Sequence, residues 1–264
     1  MSKSTQVNAS SYTFDVSQYL QRIGLSAPQT IDLDVLTTLQ LAHLKAIPFE
    51  NLDIHYGNSI SLNLDCVYEK VINNGRGGFC YELNGLFHNL LKSLGFNAKL
   101  VSARVSRPDG SYGPEFDHLA IVVSLNYKKY LADVGFGRFA FSPILIPHGI
   151  NESVEESDYR IDRQGDDTFL VSRLDNRVLL PEYLFTQKER HLPDFQEMCT
   201  HHQTSSESNF TKGKVISILT DNGRKTLTDT QLKYAGTNGT EASNFDPEDF
   251  EMYLEQEFGI IISR

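Results

Sequence analysis

Apolar residues fall at helical spacing through the first third of the chain and at strand spacing through much of the rest. Phe14, Val16, Tyr19 and Leu20 predict a short helix that ends before Gly24. Asp32 stands where a cap belongs ahead of Leu33, Leu36, Leu39 and Leu41, and Pro48 closes this second helix. A third is expected from a cap at Asp65 through Val67, Val71 and Ile72 to a stop at Gly75. Leu83, Leu86, Phe87, Leu90 and Leu91 then recur at helical intervals, which predicts a helix from Cys80 to near Leu94-Gly95. After Asn97 the period changes. Residues 100–105, 118–125 and 129–134 read as strands, with turns at Pro108-Asp109-Gly110 and around Asn126. Further strands are expected at 168–173 and 176–180. Residues 215–219 and 225–228 flank Asp221-Asn222-Gly223, a strong hairpin signal. Phe250, Tyr253, Leu254 and Phe258 predict a final amphipathic helix, capped by Asp246 with Pro247 in its first turn. Residues 1–11 are polar and read as loose. Helices, then short strands, then a mixed tail indicate an α+β protein.

Composition narrows the classes. At 264 residues the chain can hold one large domain or two to three small ones. A net charge of −10 argues against a general nucleic-acid binder. No apolar run approaches the roughly 20 residues that span a bilayer, so no membrane association is expected. The first residues, Met1-Ser2-Lys3-Ser4-Thr5-Gln6, lack the apolar core of a signal peptide. Cysteines 66, 80 and 199 are odd in number and widely spaced; they suit a reducing compartment, and a cytoplasmic location is expected.

The candidate chemistry starts at Cys80. Gly77 and Gly78 permit tight or left-handed backbone just before it, and a helix N-terminus favours an anion such as a thiolate. A lone cysteine is more often buried and inert, so it needs a base, and the base an orienter. His118 opens an apolar, β-branched run, and Asp133 closes the next strand ahead of Gly135-Phe136-Gly137. If those two strands pair antiparallel, His118 can take the thiol proton while Asp133 orients the imidazole. Pairing with an imidazolium predicts a thiol pKa well below the free value of about 8.5. Taken singly, His118 is an ordinary edge histidine and Asp133 an ordinary turn former; the three together carry the argument. The same trio serves a cysteine hydrolase equally well.

The chain resembles the arylamine N-acetyltransferases. The matching segments are Arg76-Gly77-Gly78-Phe79-Cys80 with Glu82 and Asn84, His118 with its apolar run, Asp133-Val134-Gly135-Phe136-Gly137, His43, and Ile47-Pro48-Phe49-Glu50-Asn51-Leu52. The resemblance covers most of the chain and is strongest over residues 40–140. It implies a papain-like cysteine core built as a helical domain (1–95), a central antiparallel β-barrel (96–205) and a C-terminal α/β lid (206–264). It implies acetyl-CoA as cosubstrate, no tightly bound cofactor, and ping-pong transfer through an acetyl-cysteine to a small aromatic amine or hydrazine. Arylhydroxylamine O-acetylation is a possible extension. An amide synthase with another acyl donor, a cysteine hydrolase, and a non-catalytic binding protein on the same fold are the competing readings. Oligomeric state is left open.

The resemblance also assigns supporting residues. Glu50 and Arg76 are expected to pair through a bidentate contact that fixes the cysteine loop. Phe49, Phe136 and Val105 are expected to wall an amine pocket. Gly135 and Gly137 could turn N–H groups toward a pyrophosphate, with hydroxyl donors from Thr204, Ser205 and Ser208. That last segment departs from the family pattern, with Ser206 in place of a proline and Asn209 in place of a histidine. His43 reads as structural and Cys66 as buried. Cys199, His201 and His202 lack a fourth ligand and paired spacing, so no metal is expected and they read as loop residues.

Overall fold

The computed structural model describes residues 14–147, 158–236 and 239–262. Asp15 caps α1 (Val16–Arg22), accepting from Ser17 and Gln18 N–H. Asp32 caps α2 (Leu33–Ala46) through Val35 N–H at 2.9 Å. After β1 (Phe49–Glu50) and α3 (Leu52–His55) comes α4 (Leu64–Tyr68), which widens into a π-turn over Glu69–Asn73. Its cap is Asn63, not Asp65: Asn63 Oδ1 accepts from Asp65 and Cys66 N–H, and Asp65 lies in the first turn. Cys66 is exposed there rather than buried. Then follow α5 (Cys80–Ser93), β2 (Asn97–Val105), β3 (His118–Leu125), β4 (Lys128–Ala132), β5 (Ile144–Ile146), β6 (Tyr159–Arg163), β7 (Thr168–Asp175) and β8 (Val178–Arg190). The chain closes with α6 (Gln196–Thr204), β9 (Val215–Thr220), β10 (Gly223–Thr228), β11 (Gln231–Gly236), β12 (Gly239–Asn244) and α7 (Phe250–Phe258).

The fold is α+β. Seven antiparallel strands run β5-β4-β3-β2-β8-β7-β6, and the sheet curls until β5 and β6 touch, giving a nearly closed barrel. Helix α5 lies on its outer face. Strand β3 therefore reads as unbroken apolar sequence because it is buried on both sides. Leu119, Ile121 and Val123 pack with the α5 leucines, while Ala120 and Val122 join Val101, Phe169, Val171 and Tyr183 inside the barrel. The second sheet, β1-β9-β10-β11-β12, takes α7 on one face through Ile216, Leu227, Leu232, Phe250 and Leu254. Its edge is the two-residue β1, registered Phe49↔Ser217 and Glu50↔Ile216.

Several expectations need correction. The stretch 176–180 is no separate strand: Asn176 and Arg177, at φ 49° and 67°, form a tight turn, and β8 continues thirteen residues beyond it. Asp246 precedes a 3-10 turn, Pro247–Asp249, and its side chain makes no capping bond. Residues 196–204 form helix α6 rather than a loop. Residues 1–11 lie outside the described residues. Among the described residues no helix is long and apolar enough to cross a membrane.

Candidate active site

The turn before α5 is pinned from both sides. A Cβ at Gly77 would sit 2.0 Å from Pro48 O, and one at Gly78 2.8 Å from Glu82 Oε2. Neither glycine has positive φ, so close approach and not left-handed backbone excludes side chains there. Glu50 N–H donates to Gly78 O at 2.9 Å, and Phe79 N–H donates to Glu82 Oε2 at 3.1 Å. Glu50 and Arg76 do meet, but both guanidinium donors go to Glu50 Oε1, at 3.0 and 2.8 Å. The other oxygen is taken by Leu52 N–H at 2.7 Å, so the two-oxygen fork expected for this pair does not form. Arg76 also reaches Asp53 at 3.0 Å, and Lys70 bonds Asp53 at 2.7 Å and Glu82 at 2.9 Å. Three carboxylates and two cations thus brace the turn. Burial would raise Asp53, yet Lys70 and Arg76 outweigh it and hold the carboxyl down. Glu82 is pushed up by its burial despite Lys70.

Asp133 lies just past β4. The β3–β4 register, Ile121↔Ala132, brings the start of β3 beside the residues that follow β4. Five donors converge on this buried carboxylate. His118 Nε2 at 2.7 Å and Tyr183 OH at 3.0 Å bond Oδ2. Asn84 Nδ2 at 2.8 Å and the N–H groups of Gly135 at 2.9 Å and Phe136 at 3.0 Å bond Oδ1. A carboxylate only accepts, so His118 Nε2 carries the hydrogen and Nδ1 is left as an acceptor. The ring is clamped edge-on by Phe136 and tilted against Tyr183, with centroids 5.1 and 5.2 Å away.

Asn84 joins helix to barrel. It stands one turn beyond Cys80 on α5, donates to Leu119 O at 2.6 Å and to Asp133, and accepts from Val134 N–H at 2.9 Å. Gly135 closes the contact: a Cβ there would lie 2.7 Å from Cys80 Cα and 2.9 Å from Cys80 O. The cysteine is thereby fixed against the segment that holds Asp133. Burial pushes the Cys80 thiol up, and Cys199, Asp133 and Asp117 push the same way against one Tyr81 N–H. The low value expected for this thiol presupposes an imidazolium beside it; the other surroundings disfavour a thiolate, so ionisation requires an acceptor for the proton.

The other expected site residues divide. Phe136 stands beside the imidazole, whereas Phe49 packs toward Phe210, 6.1 Å away, near the cysteine turn. Val105 pairs with Tyr183 across β2 and β8, half-buried. The N–H groups of Gly135 and Phe136 are taken by the Asp133 carboxylate and are not turned toward a pyrophosphate; a side chain at Gly137 would meet open space. Thr204 donates to Thr200 O at 2.9 Å, Ser205 Oγ accepts from Glu207 N–H at 3.2 Å, and Ser208 is buried against His202 Nδ1 at 3.2 Å. His43 is fully buried, with its Nδ1 hydrogen-bonded to Tyr19 OH at 2.7 Å. Cys199 and His202 point inward while His201 is exposed; among the described residues no group of three metal-type ligands gathers. Sequence reasoning gave no role to Asn84, Tyr183 or Asp117. Asn84 at four residues from Cys80 was the available signal.

A cysteine heading a helix, laid on a barrel edge that supplies histidine and aspartate, is the papain-like plan of a cysteine enzyme. A family model described as N-acetyltransferase matches residues 32–264. An arylamine N-acetyltransferase of Mycolicibacterium smegmatis is 34% identical over 238 residues, covering 88% of this chain and 86% of that one. The pineal gland isozyme NAT-3 of Gallus gallus is 30% identical over 276 residues, 95% of each chain. Among solved structures, the M. smegmatis arylamine N-acetyltransferase superposes with a TM-score of 0.85 at 31% identity, covering 94% of this chain and 93% of that one. A Bacillus cereus arylamine N-acetyltransferase, described as having a unique Cys-His-Glu catalytic triad, gives 0.84 at 25% identity over 95% and 100%. The chain belongs to the arylamine N-acetyltransferase family, and it is an acyltransferase.

Proposed function

We propose that the protein transfers the acetyl group of acetyl-CoA to small aromatic amines and hydrazines through an acetyl-Cys80 intermediate. The observation that carries this reading is the buried His118–Asp133 pair at 2.7 Å, on the segment that Gly135 lays against Cys80. His118 Nδ1, left free of hydrogen, takes the thiol proton; Asp133 supplies the countercharge for the imidazolium. The thiolate attacks the thioester carbonyl, and CoA departs as its thiol with the proton returned by His118. An incoming amine then attacks the acetyl-cysteine, and His118 removes its proton as the Cys80 sulfur leaves. The Cys80 turn and backbone N–H groups around it offer donors for the oxyanion. Kinetics are ping-pong, and arylhydroxylamine oxygens are alternative acceptors.

In this reading Phe136, Phe49 and Val105 wall the amine pocket, and Gly137 with Thr204, Ser205 and Ser208 lies on the donor side. Gly135 sets the spacing of helix and barrel. Glu50 and Arg76 position the turn and take no part in chemistry. Residues 1–95, 96–205 and 206–264 act as nucleophile-bearing, base-bearing and covering segments. Three free cysteines suit a cytoplasmic setting.

Intact-protein mass spectrometry after brief exposure to acetyl-CoA tests this. One added acetyl group, absent in Cys80→Ala and discharged by an added arylamine, is the expected result. A protein that stays unacetylated while Cys80 is readily alkylated sinks the acetyl-CoA assignment and points to a different acyl donor.

A further inference from the structure

Behind the reacting cysteine lies a second histidine–carboxylate pair. His202, on the last turns of α6, is 8% exposed. Its Nε2 stands 3.3 Å from Asp117 Oδ1 and 3.3 Å from Asp117 O. Asp117 immediately precedes His118. Its other oxygen accepts from Val105 N–H at 3.2 Å, and Gly113 makes room for it, since a Cβ there would fall 2.0 Å from Oδ2. The His202 ring stacks on Tyr81, the residue after Cys80, at 6.0 Å and 28°. Tyr81 OH in turn donates to Phe116 O at 2.7 Å and Asp117 O at 3.2 Å. One ring thus touches the chain neighbours of both Cys80 and His118.

The bond directions follow from what each group can do. Asp117 O and Oδ1 are both acceptors, so His202 Nε2 donates: its hydrogen bond goes to the main-chain O, and the carboxylate lies beside the same N–H at 3.3 Å. Nδ1 is then the acceptor and takes the Ser208 hydroxyl hydrogen at 3.2 Å, while Ser208 Oγ accepts from Phe210 N–H at 3.2 Å. Donors run in one direction from the 204–210 segment, through Ser208 and His202, to Asp117. Phe210 meets His202 edge-on at 5.2 Å and Phe79 at 5.8 Å, which closes the ring of contacts around the cysteine turn.

We infer that His202 is a positioning residue for the acyl transfer: it holds Asp117 through the main-chain O, sets its N–H beside the Asp117 carboxylate, and so draws that charge away from the Cys80 sulfur. An ordinary core histidine would need only a partner for each nitrogen. This one sits on the single carboxylate flanking His118, and that carboxylate is among the charges opposing the Cys80 thiolate. The titratable groups acting on Cys80 are Cys199, Asp133, Asp117 and Tyr81, with His118 as its proton acceptor in the proposed mechanism; those around His202 are Asp117, Tyr81 and His201. The inference rests on Cys80 being the acyl carrier.

The test is the pH dependence of iodoacetamide alkylation at Cys80 in the full chain, which needs no turnover. His202→Leu should move the midpoint upward and slow alkylation at pH 7 about tenfold, the change that one pH unit brings. His202→Gln, whose amide can donate to Asp117, should recover most of the rate. In an Asp117→Asn background His202→Leu should change little, because the charge it manages is gone. An unmoved midpoint in folded His202→Leu overturns the inference, as does an equal shift in the Asp117→Asn background. Should His202→Leu fail to fold, Asp117→Asn alone decides: it must speed alkylation at pH 7 at least about threefold, and an unchanged rate overturns the inference. Acetyl loading of the wild type separates the two readings. Loading with no midpoint shift removes only the role of His202; a shift without loading removes the acetyl-CoA assignment and leaves His202 in place.

Discussion

Two buried histidines, one in the helical core and one at the head of the barrel, show what a neighbour does to the same ring. His43 lies among α2, Tyr19 and Phe87, with Tyr19 OH on Nδ1 at 2.7 Å and, among the described residues, no partner for its buried Nε2. Burial, aided by Arg22, pushes its pKa down to about 3, so it stays neutral. His118 is as deeply buried but donates to a carboxylate at 2.7 Å. A carboxylate supplies the countercharge that an added proton requires; a tyrosine hydroxyl does not. Burial alone therefore makes a spacer, and a carboxylate neighbour is what suits the second ring to the base role proposed for it.

The strongest way to break this contrast is to remove the charge at Asp133. Asp133→Asn should lower the rate of acetyl transfer by roughly 10³–10⁴-fold, read from amine acetylation kinetics. It also places an NH₂ against one of five donors, so its thermal midpoint should fall. A next step leaves both residues in place and loosens their support. Asn84→Ala deletes bonds to Leu119 O, Asp133 Oδ1 and Val134 N–H inside the core. We expect about 2–4 kcal/mol of lost stability in urea titrations, together with slower acetyl loading. Retained stability would mean that helix and barrel are held by packing alone.

The helical-core histidine gives a pH test. Its folded pKa lies below the unfolded value of about 6.5, so the unfolded chain binds the extra proton. Its share of stability is present above pH 6.5 and is lost progressively as pH falls toward 3. Between pH 7 and pH 5 the wild type should lose about 2 kcal/mol more than His43→Gln, measured by urea unfolding at both pH values. Equal losses would show that His43 gains a proton in the native state. The smallest effect is expected on the donor side. Thr204→Ala and Ser205→Ala remove hydroxyls from exposed or half-exposed positions and should change stability by less than about 0.5 kcal/mol. A rise in the acetyl-CoA KM with unchanged kcat would sharpen their proposed role.

What the sequence disclosed follows from which signals are local. The α5 helix was legible because its leucines repeat on one face and a glycine turn precedes it. His118 and Asp133 were legible as neighbours because one short turn joins their strands. Tyr183 was not: it reaches Asp133 from fifty residues away, across a pairing that no local pattern encodes. The N–H group of Gly135 looked available for a phosphate, yet Asp133, two residues earlier, folds back onto it. Strands β11 and β12 lack apolar alternation because they form the exposed side of the second sheet; every residue of β12 is exposed. Helix α6 is mostly polar, with only Cys199 and His202 buried, and that left no helical stripe to read.

The two-residue strand β1 has a consequence for the order in which the protein can be made. Phe49 bridges Gly78 on one side and pairs with Ser217 on the other, so the cysteine turn is hydrogen-bonded to a strand whose own partner lies 168 residues downstream. Such distant contacts form late, after the chain entropy between them has been given up. During synthesis the thiol therefore waits in an unfinished frame until residue 220 has emerged, and the last sheet to be translated completes the surroundings of the first reactive group.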